Sequence, residues 1–571
     1  MTTTASLPTD GASFAAAPAT PVHAEDAAPK QPRSSRFRLA LGVFVLCGAV
    51  CITVGAYFFL TKNNDHNDQT AKSIISTIQQ AAAIKVTITA LRSSMTLNGL
   101  SQATAYIVPR STSFNPRERS NDVALAFDAV IKQVGADHTE TYTLVNDKAY
   151  VAMTVDGAML HAACLEPSQV PSISLMQSSL EQASVVRAVE IDNVDVTTTY
   201  CDGLLLELTF AGEKYVLCAS NDNKVNHIQG DDLDIAVEYL TDASDVPAIA
   251  VPDESLDCPV IRTSLPNLQG LTERAASTES AGTAKMNRAS CGCKGPRKPC
   301  LFVHGVGQKS SGPIQDSSDS WGSLKDNAPC CTSTKYVQFD TVSRRWDDAS
   351  LQNDFCNAAL QVATGNNGRT VGNLILVTYS MGNLIAGGAI ANNRCGLSGG
   401  VSWLSLAGPM QGSKSANFLE QTCANGNGGW GNAALNVIAS LIGQCPAQPA
   451  YLSLKHQNTV GQGMQNTFVA AQRARAQHVT KVLCGNSPSG LASIYSAALP
   501  IVSQLSKHDT ENDGVVDFNS CTAGVGTNGF GTSYNNVNYK AAINHLDAAF
   551  RQGDGWFGDD RKPVKWFECA L

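Results

Sequence analysis

The sequence has no surplus of positive charge: 41 Lys and Arg face 49 Asp and Glu, leaving a net charge of -8. With no block of like charges to offset that balance, a nucleic-acid partner gripped by a basic face is excluded. No internal repeat recurs along the chain, which excludes a solenoid built from a periodic unit. No Asn-x-Ser/Thr acceptor occurs, so N-glycosylation gives no mark of sidedness. Residues 66–258 carry no Gly-rich phosphate loop, no nucleophile turn and no group of histidines, and no chemistry is assigned to them.

What is present sorts first by compartment. At 571 residues there is room for two or more cores. Residues 1–36 are rich in Ala, Thr, Pro and Ser without apolar periodicity, and read as a disordered tail. Residues 37–60 carry no charge after Arg38 and have about the 20 residues a bilayer-spanning helix needs. Lys30, Arg33, Arg36 and Arg38 lie at or before its start and only Lys62 follows closely, so the positive-inside rule keeps the tail cytoplasmic. This predicts a single-pass type II membrane protein, with the membrane as a partner through 37–60 and the C-terminal domains extracellular or lumenal. A cleaved signal peptide is the alternative, but it would need an apolar run of about 7–15 residues and a small-x-small site. GAYFFLTK is a poor site.

Of 18 cysteines, Cys47 and Cys51 fall in that span, leaving an even 16 beyond it, as disulfides in an oxidising compartment require. Zinc is the rival for Cys291, Cys293 and Cys300, whose C-x-C-x6-C spacing has only His304 close by to complete it.

Past the span, residues 71–84 are expected to be helical, followed by stretches such as KVTITALRSSMTL and ETYTLVNDKAYVAMTVDG. Alternation at period two, broken by VND and FAGEK turns, predicts an antiparallel meander with one buried face. Residues 66–258 are thus a β-rich (α+β) extracytoplasmic domain whose partner is unknown, and the small polar stretch 259–298 is a linker.

From residue 299 onward, short apolar strands alternate with helical segments, as in a parallel α/β sheet. CLFVHGVG, KYVQFDTV, LILVTYSMG and VSWLSLAGP are its expected strands. Thr378-Tyr379-Ser380-Met381-Gly382, between strand and helix, resembles the G-x-S-x-G nucleophile elbow of the α/β-hydrolases, lipases in particular, with Thr378 where the first Gly is usual. FVHGVG resembles the lipase oxyanion strand, SLAGPMQGS the strand that follows, ENDGVVD the acidic segment and NHLDAAF the histidine segment, in the family's order Ser, Asp, His. The resemblance implies a doubly wound α/β-hydrolase sheet over 299–571, preceded by the transmembrane helix and the β-rich domain.

It also implies roles. Ser380 is the nucleophile, His545 takes its proton, and Asp513 orients the imidazolium; the Val306 and Met381 amides form the oxyanion hole. His304 is kept structural, and His508 is the backup to His545. Asp513 also sits in DTENDGVVD, most of an EF-hand loop but with Ser520 where a Glu is needed. No cofactor is required; a structural calcium with Asp547 as ligand is what some lipases add. A bridge between Cys484 and Cys521 matches a lipase disulfide. The hundred or so residues before the acidic segment, including LASIYSAALPIVSQLS, are expected as a cap over the site or as core helices. The function implied is a membrane-anchored lipase or carboxylesterase acting on an ester or lipid substrate; the alternative is a catalytically inactive binding protein of the same fold.

Overall fold

The computed structural model describes residues 70–571 apart from 98, 111–125, 136–137, 166–169, 171–174, 262–281, 288–290, 325, 425–444, 492, 494–495 and 497. Residues 70–80 are helical, and the chain then enters Ala83–Ala90, one strand of an eleven-stranded antiparallel sheet. Six strands, from Ala83–Ala90 to Ala158–Cys164, are laid down side by side in chain order. Leu233–Leu240 then returns to the open side of the first strand and four more extend beyond it. Its register follows the pleat: Ile84, Val86 and Ile88 stand opposite Ile107, Ala105 and Ala103, which makes one face aliphatic. Lys85, Thr87 and Thr89 stand opposite Tyr106, Thr104 and Gln102 on the other face. The hairpins are tight because both turn residues adopt positive φ, 50° and 60° at Asn146 and Asp147, 51° and 84° at Ala211 and Gly212.

The second large sheet has eight strands. Cys331–Gln338, Lys298–Val303, Leu374–Tyr379, Val401–Leu406, Val479–Gly485, Asn538–Ala541 and Phe530–Gly531 follow one another in parallel, and Gly312–Gln315 joins one edge antiparallel. Leu374–Tyr379 is buried at every position, as a strand covered on both faces must be. Alternate residues serve separate cores. Leu301 and Val303 join Phe355, Leu384 and Phe468 on the face covered by helices Ala349–Val362, Met381–Ala391 and Gln462–His478. Cys300 and Phe302 join Trp321, Phe550 and Trp566 on the other.

These features correct the expected architecture. The largest sheet is antiparallel, the C-terminal sheet is mixed, and its second face is covered among the described residues by loops and the short helix Pro563–Ala570, so a doubly wound α/β-hydrolase sheet is not what the protein shows. The transmembrane helix is corrected too. Among the described residues no helix is long and apolar enough to cross a membrane. The 17 residues of Gln462–His478 (QGMQNTFVAAQRARAQH) carry two arginines and many polar side chains. The span expected at 37–60 lies outside the described residues, and a single-pass type II placement is not retained.

Eight disulfides pair all sixteen cysteines beyond Cys51, which fits an extracellular protein. Cys291, Cys293 and Cys300 bond to Cys569, Cys330 and Cys331, so none is free for zinc.

Residues 70–571 belong to one compact unit, and buried charges tie the antiparallel sheet to the C-terminal helix that packs on the second sheet. Arg92 pairs with Glu568, and Asp232 receives Lys565 at 2.7 Å and Lys562 at 3.5 Å. Asp554 caps the C-terminal helix by accepting the Val564 and Lys565 amides, while also accepting the Ser94 hydroxyl at 2.7 Å. Thr283–Met286, inside the expected linker, is itself a strand parallel to Ala188–Ile191.

Candidate active site

Strand Leu374–Tyr379 ends at Ser380, and helix Met381–Ala391 begins one residue later. Such a reversal forces Ser380 to φ 50° and ψ -126°, a region that costs a non-glycine residue about 1–3 kcal/mol. Surrounding bonds over-determine it. The Ser380 amide donates to the Leu406 carbonyl at 3.0 Å, and Asn383 Nδ2 donates to the carbonyls of Ser380 and Leu406 at 3.1 and 3.0 Å. Two glycines permit the close approach. A Cβ on Gly382 would stand 2.7 Å from the Val303 carbonyl, and one on Gly305 would stand 2.7 Å from Ser380 Cβ.

Thr378, where the lipase pattern has Gly, turns into the core. Its Oγ1 accepts from Trp403 Nε1 at 2.8 Å and donates to Asn383 Oδ1 at 2.5 Å, and the residue is fully buried. It therefore braces Asn383, which in turn braces the elbow.

His545 and Asp513 arrive from two loops beyond the parallel strands. His545 Nε2 lies 2.9 Å from Ser380 Oγ, and its Nδ1 lies 2.7 Å from Asp513 Oδ2. The second carboxylate oxygen of Asp513 accepts the Val515 and Val516 amides at 3.0 and 2.7 Å, which fixes the rotamer. The His545 amide also donates to the Asp513 carbonyl at 2.8 Å, so backbone and side chain share one register. Tyr379 donates its hydroxyl to the His545 carbonyl at 3.0 Å; burial pushes that phenol's ionisation well up, so it acts as a donor. Ser380 and His545 retain 4% and 5% exposure, which makes the approach to them narrow.

The Val306 and Met381 amides have no acceptor among the described residues. Met381 opens its helix and so lacks an intrahelical partner. Val306 is set by the loop before it. The Gly305 carbonyl accepts His304 Nδ1–H at 2.8 Å and the Thr341 hydroxyl at 2.9 Å, and a trans peptide turns the Val306 N–H the opposite way. His304 Nε2 accepts the Phe339 amide at 3.1 Å, and burial lowers its pKa, so it is a neutral brace.

A second Ser-His-Asp run lies elsewhere. His508 bridges Ser415 Oγ and Asp517 Oδ1, each at 2.8 Å. Ser415 is fully buried in the first turn of helix Lys414–Ala424, so no substrate carbonyl can reach it. Burial works against ionisation of Asp517, but the bonds from His508, the Asp509 amide and Lys414 hold it down at about 2. This run fastens the acidic loop to the helix start, and His508 does not approach Ser380.

The EF-hand reading of 509–517 loses its ligands to other partners: Asp509 pairs with Lys414, Asp513 with His545 and Asp517 with His508. Asp547 is completely buried. Its Oδ2 accepts the Leu491 and Asn544 amides at 2.8 and 3.0 Å while Oδ1 has no partner. Burial chiefly pushes its pKa up to about 7, with the two amides opposing and Asp513 adding repulsion. One unpartnered carboxylate oxygen does not make a calcium cage, and no group of three or more His, Cys, Asp or Glu that could hold a metal gathers among the described residues. The residues present do not fit a calcium site.

Sequence reasoning assigns no role to Asn383, just past the Ser380 motif, or to Tyr379 and Asn544, inside the quoted segments, because each works by bracing backbone and no motif chemistry names such a contact. No family model matches this chain, and no curated protein matches it. Among solved structures it is similar to LprF from Mycobacterium bovis, at 11% identity and a TM-score of 0.19, over 33% of this chain and 97% of that one. A likeness at that level carries no argument.

Proposed function

We propose that this protein is a serine hydrolase of carboxylic esters, of lipase or carboxylesterase type. The observation that carries the reading is the hydrogen-bonded run from Ser380 Oγ through His545 to Asp513, beginning at a serine held at φ 50°. In this reading Ser380 Oγ attacks the ester carbonyl as its proton passes to His545 Nε2, and Asp513 stabilises the imidazolium through Nδ1–H. The tetrahedral oxyanion takes the Val306 and Met381 amides; losing one such donor typically costs about 100-fold or more in rate. His545 then protonates the leaving alcohol, and water, activated by the same imidazole, hydrolyses the acyl-enzyme. No metal or cofactor enters these steps.

The test is active-site labelling of the full chain with a fluorophosphonate, alongside hydrolysis of p-nitrophenyl butyrate and palmitate. Wild type should be labelled and should turn over at least one ester, and Ser380→Ala should do neither. Folded wild type that stays unlabelled would refute the reading and leave a binding protein with an inert triad.

A further inference from the structure

A cavity of about 870 Å3 lies under the eleven-stranded sheet, near the upper end of the roughly 300–1,000 Å3 of small-molecule sites. Neither Ser380 nor His545 lines it. The pleat explains its character. Val86, Ile88, Ala105 and Ile131 are on the aliphatic face of the sheet, and that face forms the wall. Its roof comes from three other places: Ile78 in the helix at 70–80, Met176 and Leu180 in the helix Met176–Glu181, and Trp556 and Phe557 near the C-terminus. The space exists because Ala103, Ala105, Ala129 and Ala149 put methyl groups where larger side chains would have met the roof.

Water is a poor occupant of such a volume, since apolar cavities stay dry, and an empty one forfeits dispersion contacts along its whole lining. The Asp, Glu and Arg side chains of the lining are Glu140, Asp554, Arg551 and Arg561; Asp554 is taken up by the Ser94 hydroxyl and the Val564 amide, and Arg561 lies 3.9 Å from Asp560. Glu140 lies on the wall, but Tyr142 donates to it at 2.5 Å and His138 lies 3.2 Å away, so it is already partnered and would repel an anion. Arg551, beside Gln552 and Ser493 in another part of the lining, differs. It is exposed, makes no ion pair among the described residues, and gives only its Nε–H, to the Ser320 carbonyl at 3.1 Å. A fork of guanidinium donors at the edge of an aliphatic volume matches a carboxylate on a hydrocarbon tail.

We propose that this chamber binds a long-chain alkyl carboxylate, its chain against the alanine-rich face and its carboxylate on Arg551. Such an acid is also the product class of long-chain ester hydrolysis, but the chamber stands whether or not Ser380 is reactive.

The test titrates the full wild-type chain with cis-parinaric acid and follows its emission. One probe should bind per chain and be displaced by palmitate, not by hexanoate. Arg551→Leu should weaken palmitate about ten-fold, the effect expected of one lost charge-assisted contact, and leave hexadecanol unchanged. Ala105→Trp should abolish binding of both while the far-UV spectrum is kept; if it fails to fold, Ala129→Leu should weaken both. Palmitoyl lysophosphatidylcholine separates a free acid from the acyl chain of a lipid: displacement as strong as by palmitate would overturn the carboxylate assignment. No saturable binding, or a folded Ala105→Trp that binds like wild type, would overturn the chamber itself. Fluorophosphonate labelling of the same preparations reports on Ser380 separately, so failure of one proposal is not failure of the other.

Discussion

Replacing Asp547 by Asn should stabilise the protein at neutral and alkaline pH, and the gain should disappear in acid. Burial pushes this carboxyl from its ordinary value near 3.8 up to about 7. Between those values the folded state holds a proton that the unfolded chain has released, so stability falls as pH rises through that window. The shift is roughly three pKa units, worth about 4 kcal/mol once pH exceeds 7. Asn keeps an acceptor for the Leu491 and Asn544 amides and carries no charge, so the variant should escape the loss. Guanidinium unfolding of both proteins under oxidising conditions at pH 4.5, 6 and 8 measures it. Across this pH series the difference, variant minus wild type, should grow by about 3 kcal/mol, with most of the rise between pH 5 and 7. A difference independent of pH would refute the reasoning, because it would mean that Asp547 ionises in the folded state as freely as in the unfolded one. Calcium should leave both midpoints unmoved.

Three further substitutions probe other parts of the molecule. Thr378→Gly, which restores the lipase pattern, should destabilise by about 2–3 kcal/mol and reduce labelling of Ser380, since it leaves the buried Trp403 Nε1–H without its acceptor; thermal unfolding and fluorophosphonate labelling check both parts. Glu568→Gln should cost about 3–5 kcal/mol in chemical unfolding, because Arg92 is then buried without its closest counter-charge. Removing the Cys484–Cys521 bridge by a double change to Ala should cost about 4 kcal/mol, from the loop entropy of its 37-residue separation, read as a lowered midpoint.

Local patterns in the chain are readable where one residue decides one feature. The VND and FAGEK turns mark the hairpins because two positive-φ residues in succession favour Asn, Asp and Gly. Ser380, Asp513 and His545, singled out by motif order, are the residues that meet, and Cys484 does pair with Cys521. What stays hidden depends on contacts between distant segments. The return of Leu233–Leu240 to Ala83–Ala90 joins strands some 150 residues apart, and nothing in either strand names the other. Arg92, Asp232, Glu568 and Lys562 each look like surface charges in sequence, and only their convergence makes burial tolerable. The doubly wound expectation fails for a related reason: short apolar strands announce burial on two faces, but not whether helices or loops do the covering.

One stretch near the C-terminus carries three separate demands. His545 is held in place by the turn that runs from Asn544 through Asp547 to the left-handed Phe550. Phe550, Arg551, Trp556 and Phe557 then line the chamber, and Lys562, Lys565 and Glu568 close the charge cluster against the antiparallel sheet. Filling the chamber would press on Phe550, the residue common to that turn and to the lining, while the buried charges fasten the far end of the stretch. If that connection transmits, palmitate at saturation should change the rate at which a fluorophosphonate labels Ser380 in wild type, and the change should vanish in Ala105→Trp. A labelling rate indifferent to palmitate in a protein that binds it would show that the turn insulates the two sites.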